Sequence, residues 1–221
     1  MWHASCGRRA VRSRPCLRAA CLFAPSCVCA PLVLSPQIVE SIALGDAATL
    51  VSLFSASQSA GRLTGGLVSD WVVAHLAQPR VLCIAATAVL MACAHVVLLA
   101  ASTVVVLYVG VALAGFAFGC GFPLMVVCVS ELFGVEHFGQ NYMFFDGLGQ
   151  CLGSLLLGSI LPSRLYSALV PPGSSTQRCV GRQCFATTHE IVAGSSAFAS
   201  VLALVLAWRS RQRSPKMDVS E

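Results

Sequence analysis

Five apolar runs, each long enough for a helix to cross a lipid bilayer, constrain this chain more than any other feature of its sequence. Such a helix needs about 20 predominantly apolar residues. Only 10% of the 221 residues are charged and the mean hydropathy is +0.79, whereas soluble domains are about 25% charged. We therefore predict an all-α, polytopic membrane helical bundle and exclude a soluble enzyme, a disordered chain and a nucleic-acid module. The predicted spans cover residues 47–69, 81–101, 103–129, 142–161 and 191–208.

The start of the chain allows two interpretations. Residues 16–34 are mostly apolar, but they contain Arg18 and two prolines, and prolines weaken an isolated helix. They form a sixth span in the first interpretation. In the second, the arginine-rich and acid-free start is a cleaved targeting sequence or an artefact of gene prediction.

The positions of the basic residues predict the orientation, because cytoplasmic loops are enriched in Lys and Arg. With six spans, the basic segment 1–15, the loops 70–80 and 131–140 and the basic tail 209–221 share one face, which we place in the cytoplasm with both termini. The helical bundle covers residues 16–208, and its long loop 163–189 lies on the opposite face. Two cysteines of that loop, Cys179 and Cys184, either close a small disulfide ring or remain free thiols.

Polar side chains at helical spacing are the candidate functional residues, because each is costly in a bilayer unless it faces water or a partner. If the stripes converge, they line a pathway for a solute or a proton. The alternative is that Ser and Thr bond to their own helix and that His95 bonds to a neighbouring helix. The stripes are Ser52, Ser55, Ser59 and Arg62, with Gln58 beside them, then Thr87 and His95, and finally Tyr142, Asp146 and Gln150.

Small residues at four-residue spacing predict closely packed helices, because they let two backbones approach in lipid. They occur in three spans, at Gly61 and Gly65, at Gly110, Ala114, Gly115, Gly119 and Gly121, and at Gly149 and Gly153. No strand precedes any of these glycines, so a phosphate-binding loop is excluded. We predict no cofactor, no metal and no catalytic residues, since no set of nucleophile, base and orienting group is recognisable.

One segment and several shorter motifs resemble the major facilitator superfamily. Gly66-Leu67-Val68-Ser69-Asp70 is similar to the family's signature loop, although Trp71, Val72 and Val73 stand where the family has basic residues. The nodulin-like branch is the most similar, over roughly residues 37–213. Its carboxyl half resembles this chain at 50–55, 61–70, Pro123-Leu124, Ser130-Glu131-Leu132-Phe133-Gly134, His137-Phe138-Gly139, the 179–184 loop with Phe185, and Trp208-Arg209.

The resemblance implies the last six helices of a twelve-helix transporter, which moves a small organic solute by alternating access. Asp70 would be the gate acid, Arg62 its neighbour on the helix and Arg80 part of the same motif. Gly61, Gly65 and Gly66 would be close-packing positions, and Glu131 and His137 would lie in the opposite cytoplasmic loop. Asp146 departs from the family pattern, so its role rests on the polar stripe alone.

The resemblance also implies that the partner of Asp70 lies in a missing half. We expect the chain to pair with a second transporter half or with its own copy, in addition to the lipid bilayer and a solute. Proton coupling is an open part of this hypothesis. The rival hypothesis is a truncated, non-transporting membrane interaction protein, and an intramembrane enzyme using Asp146 or His95 is the weakest alternative.

Overall fold

The computed structural model describes residues 46–170 and 183–213, and this part of the chain is helical without any strand. The all-α fold is therefore confirmed. Four long or medium helices and several short segments follow one another. They are α1 (Ala47–Leu76), α2 (Val81–Leu99), α3 (Val104–Phe133), α4 (Phe138–Tyr142), a π-helical segment (Met143–Leu148), α5 (Gly149–Gly153), a second π-helical segment (Ser154–Ile160), α6 (Leu161–Leu169) and α7 (Gln183–Arg213).

Within the described residues, three helical segments are long and apolar enough to cross a membrane: Val81–Leu99, Val104–Glu131 and Gln183–Arg211. Helix α1 has 30 residues, but it is not among them because a row of polar side chains follows its length. Helical structure is present at all five spans predicted above. The predicted sixth span, residues 16–34, lies outside the described part of the chain.

The predicted fourth span, residues 142–161, differs from a single α-helix. Short α-helical and π-helical segments alternate from Phe138 to Leu169. Glycine is a weak helix former, and Gly147, Gly149 and Gly153 lie in this stretch. The helix also continues through Pro162, where we expected it to end, because Pro162 stands in the first turn of α6 and needs no backbone hydrogen bond there.

The predicted loops are shorter in the structure. Asp70 and Trp71 belong to α1, which ends at Ala77 in a left-handed conformation, so the loop predicted over 70–80 shrinks to four residues. Helices α3, α6 and α7 likewise extend into the loops predicted over 131–140 and 163–189. Hydropathy marks where a helix leaves the lipid, but backbone hydrogen bonds continue wherever the chain can keep helical geometry.

Helix α3 lies between α1 and α2, and α2 also packs along α7. One apolar cluster joins Phe54 of α1, Met91 of α2 and Val111 of α3. A second cluster joins Ile84 of α2, Leu124 of α3 and Leu206 of α7. The order α1–α3–α2–α7 leaves one side of α1 without a neighbour among the described residues, and the candidate site lies there.

Candidate functional site

Helix α1 presents two different faces. Gly61 and Gly65 are buried against α3, and a Cβ atom on Gly65 would stand 2.7 Å from Cα of Cys120. The opposite face is exposed and polar, and it continues the predicted stripe to the end of the helix. Spacings of three and four residues place its members on one face: Ser52, Ser55, Ser59, Arg62, Gly66 and Asp70.

The serines of this stripe bond within their own helix, as the alternative reading predicted. Oγ of Ser52 donates to the carbonyl oxygen of Ala48 at 2.9 Å, and Oγ of Ser59 donates to that of Ser55 at 3.0 Å. Each hydroxyl oxygen keeps acceptor capacity toward the open side. Gly66, which we predicted to be a close-packing position, has no atom within 4 Å of a Cβ placed on it. That prediction was wrong, because Gly66 lies on the exposed stripe rather than on the face toward α3.

Arg62 stands at the middle of α1 and is exposed. Its Cζ lies 4.8 Å from the centroid of the Phe122 ring of α3, which is a cation–π contact. The ring is held in place by an edge-on contact with Phe118, whose centroid lies 5.4 Å away. The structure thus fixes the position of the guanidinium without neutralising its charge.

At the end of the stripe, Arg80 joins three helices. Its Nη1 donates to Oδ1 of Asp70 at 2.5 Å and to the buried Oγ of Ser69 at 2.8 Å, both on α1. Its Nε donates to Oε1 of Glu131 on α3 at 2.7 Å, while Arg80 itself precedes α2. We call Arg80, Asp70, Ser69 and Glu131 the Arg80 cluster.

Arg80 is the enclosed member of this cluster, with a side chain 14% exposed, whereas the side chains of Asp70 and Glu131 are 69% and 50% exposed. Burial lowers the pKa of Arg80, but the hydrogen bonds to both carboxylates raise it by more, so the pKa of the guanidinium lies above its ordinary value. Arg80 therefore stays charged at every physiological pH, and the cluster is a permanent ionic contact between helix ends.

The expectation that Asp70 finds its partner in a missing half was wrong in one respect. Arg80, only ten residues later, already binds it within this chain. Glu131, which we assigned to a separate loop, belongs to the same cluster. His137 is exposed near the start of α4, where its carbonyl oxygen accepts from Nδ2 of Asn141 at 2.8 Å.

The predicted pathway residues do not all meet. His95 is fully buried and its Nδ1 lies 3.0 Å from Nδ1 of His189 on α7, so it faces away from the exposed stripe of α1. Thr87 bonds to the carbonyl oxygen of Ile84 in its own helix. Tyr142 is half-buried and stacks on Phe138. The backbone of Asp146 and Gln150 is helical, but their side chains lie outside the described parts, so their place in a pathway stays a prediction.

His95 and His189 form a buried hydrogen bond between α2 and α7, which requires one Nδ1 to donate and the other to accept. Replacing His95 with Leu leaves the Nδ1 of His189 buried without this partner, and we expect it to lower the free energy of unfolding by about 1–3 kcal/mol. The double replacement by Leu should cost less than the sum of the two single ones. Thermal unfolding of the four proteins in detergent measures this, and strict additivity would contradict the hydrogen bond.

Cys184 is disulfide-bonded, whereas its predicted partner Cys179 lies outside the described residues, so this particular pairing stays a prediction. Cys120 and Cys128 are free and buried, as expected of small apolar side chains in a helical core.

The polar face, the glycine face and the Arg80 cluster agree with what a comparison with known families shows. The model described as Major Facilitator Superfamily matches residues 3–158. This chain belongs to the major facilitator superfamily. The match includes residues before 46, which the structure does not describe, and it ends near the second π-helical segment.

Two curated relatives from fungi extend the comparison. A protein of Yarrowia lipolytica named "Probable transporter MCH1" is 29% identical over 187 residues, which is 81% of this chain and 38% of that protein. A protein of Aspergillus fumigatus named "Probable transporter mch1" is 29% identical over 108 residues, which is 48% of this chain and 17% of that protein. This facilitator chain therefore spans less than half the length of these relatives. No solved structure matches it significantly.

Sequence reasoning missed three residues of this facilitator that the structure brings into contact with predicted ones. They are Phe122 under Arg62, Ser69 under Arg80 and His189 against His95. Only Ser69 had a local signal, because it directly precedes the signature aspartate. The other two lie 60 and 94 positions from their partners, so only the packing of the helices reveals them.

Proposed function

We propose that this chain is the carboxyl-terminal six-helix half of a nodulin-like facilitator and takes part in moving a small organic solute across a membrane by alternating access. Membership of the superfamily and relatives named as probable transporters support a transporter rather than an enzyme. The motifs at Gly66–Asp70 and Ser130–Gly134 support the choice of branch. The full pathway requires a second half, which we expect to come from another polypeptide or from a copy of this chain.

The observation on which the proposal rests is the polar stripe on the exposed side of α1. It includes a charged residue, Arg62, at the middle of a 30-residue helix. A charge at that depth is costly against acyl chains, so such residues face a water-filled cavity or a polar partner. The adjoining exposed face of α1 is apolar, with Ala60, Leu63 and Leu67, and suits contact with lipid.

The Arg80 cluster fits the role of a gate in this proposal. It lies at one end of the polar stripe, where Asp70 is the last member of the stripe. The cluster holds the ends of α1 and α3 and the start of α2 together, so movement of α1 relative to α3 has to break or rearrange it. A facilitator that alternates between two open states needs such contacts on one side of the membrane.

The distribution of basic residues supports the proposed orientation. The end of α7 packs against the start of α2 through Ala203, Leu206 and Val81, so Arg209 and Arg80 lie at the same end of the bundle. The positive-inside rule assigns this end to the cytoplasm. The tail that follows α7 would then be cytoplasmic, in line with the expectation for both termini. The basic residues alone do not name the membrane.

A water-soluble, membrane-impermeant thiol reagent tests the proposed pathway. In membranes that hold the full chain, Ser55→Cys and Ser59→Cys should add labelling above the background of native cysteines, because their face of α1 meets water. Ala60→Cys and Leu67→Cys are matched controls on the exposed apolar face, and their labelling should be at least tenfold slower. Equal labelling of both faces would contradict the pathway.

A flux measurement completes this test. The chain is reconstituted into liposomes, alone and with a co-purified second half, and uptake of small organic solutes is followed with and without a pH gradient. Uptake above that of protein-free liposomes is the expected result. Protected serine positions together with no uptake would instead favour a non-transporting membrane interaction protein.

A further inference from the structure

Arg62 is charged, exposed and without an acidic partner among the residues that the structure describes. The ion pairs found there both involve Arg80, which takes up Asp70 and Glu131. Asp70 lies eight residues from Arg62, which is about 12 Å along a helix, too far for direct contact. A guanidinium at the middle of a membrane helix therefore lacks the counter-charge that normally compensates for its removal from bulk water.

The contact with Phe122 fixes this guanidinium in a useful orientation. Cζ lies 4.8 Å from the ring centroid, so one planar face of the group is covered by the ring. The N–H donors point outward along the edges of the plane and are not consumed by a cation–π contact. Because Phe122 is itself packed against Phe118, the guanidinium is held on a rigid support rather than on a flexible one.

The surroundings of Arg62 add neutral polar atoms and no second charge. Ser59 and Ser55 precede it on the same stripe, and the hydroxyl oxygen of Ser59 keeps a free acceptor site after donating to Ser55. Gly66, one turn further along, leaves open space next to the stripe. This combination offers a planar fork of N–H donors, one apolar ring and room for a small molecule.

We infer that Arg62 binds the carboxylate of a small organic anion, with Phe122 as the support of the guanidinium. A carboxylate accepts two parallel N–H bonds from such a fork and supplies the missing negative charge. A neutral solute of the same shape would leave the cation uncompensated. This inference rests on the proposed function, since it names the class of solute that the same stripe would take.

Ligand-induced thermal stabilisation tests the inference without any need for flux. Acetate, benzoate and succinate are each compared with the corresponding neutral amide, using the full chain in detergent. At least one carboxylate should raise the unfolding temperature in a saturable manner, and its amide should bind at least tenfold more weakly. If no carboxylate exceeds its amide, the inference is overturned.

Variants of Arg62 locate the site. Arg62→Gln should weaken carboxylate binding by about 10- to 100-fold, since hydrogen bonds to charged groups contribute about 1.5–3 kcal/mol. Arg62→Lys should lose less, because it keeps the charge but not the fork. Arg164→Gln, at an exposed arginine of α6, is the matched control and should leave binding unchanged. Unaltered binding in Arg62→Gln, or equal loss in Arg164→Gln, would place the anion elsewhere and overturn the inference.

Failure of this inference is distinguishable from failure of the proposed function. If liposomes take up a neutral solute and carboxylates do not compete, the transporter stands and the anionic class is wrong. If carboxylates bind through Arg62 but nothing is taken up, with or without a second half, the binding site stands and the transport proposal is wrong.

Discussion

Replacing Gly119 with alanine is expected to lower the free energy of unfolding by about 2 kcal/mol, although alanine is the better helix former. A Cβ atom at Gly119 overlaps the carbonyl oxygen of Gln58, and the next nearest atoms are also backbone atoms of Gln58. Backbone cannot move aside as a flexible side chain can, so α1 and α3 have to separate. Thermal unfolding in detergent measures the effect, which corresponds to a fall of roughly 4–8 °C for a chain of this size.

Gly121 is the matched control, because it lies in the same helix and a Cβ atom there meets nothing within 4 Å. Gly121→Ala should be neutral or stabilise the protein by up to about 1 kcal/mol through helix propensity alone. Gly66→Ala provides the same control on α1. If Gly119→Ala is as stable as Gly121→Ala, the close approach of α1 and α3 is not present in solution.

Replacing Arg80 with alanine is expected to change the gate more than the stability. The two carboxylates that it bridges are 69% and 50% exposed, so water solvates them once Arg80 is lost, and we expect a cost in stability of only about 1 kcal/mol. The same loss removes the contact that joins the ends of α1, α2 and α3. A change of about 1.4 kcal/mol in the balance between two access states is tenfold in their ratio.

Accessibility reports this change directly. In the Ser55→Cys background, Arg80→Ala should speed labelling about tenfold when the thiol reagent is added to the side that carries Arg80. Arg80→Lys should give an intermediate rate, because an ammonium cannot present a planar fork to three groups. Arg209→Ala removes an exposed arginine from the same end of the bundle and should leave the rate unchanged. A rate in Arg80→Ala equal to that of Arg209→Ala would contradict the gate.

The glycines show how far sequence spacing can predict packing. Four-residue spacing correctly identified Gly61, Gly65, Gly115 and Gly119 as positions of close approach, and a Cβ atom on Gly115 would stand 2.7 Å from the carbonyl oxygen of Phe54. The same reasoning was wrong for Gly66 and Gly121, which face open space. Spacing shows which residues share a face of one helix, but it does not show which face meets a neighbour.

The polar residues show the same limit. The row from Ser52 to Arg62 could be predicted as one face because the α-helix has a fixed period. His95 could not be excluded from that row's surroundings, since nothing in the sequence shows that α2 turns it toward α7. The partner of Asp70 was expected far away because the family resemblance implied a contact across halves, whereas a loop of four residues brings Arg80 back to it.

The sequence by itself determined that this chain is a set of membrane helices, roughly where they run and which residues share each helical face. Those properties follow from local backbone periodicity and from the cost of placing polar groups in lipid. Only the tertiary structure decided that α1 turns its glycines to α3 and its arginine outward, and that Arg80 ties three helix ends together. Such choices depend on contacts between residues distant in the chain, where side-chain packing selects among orientations that the helical period leaves equivalent.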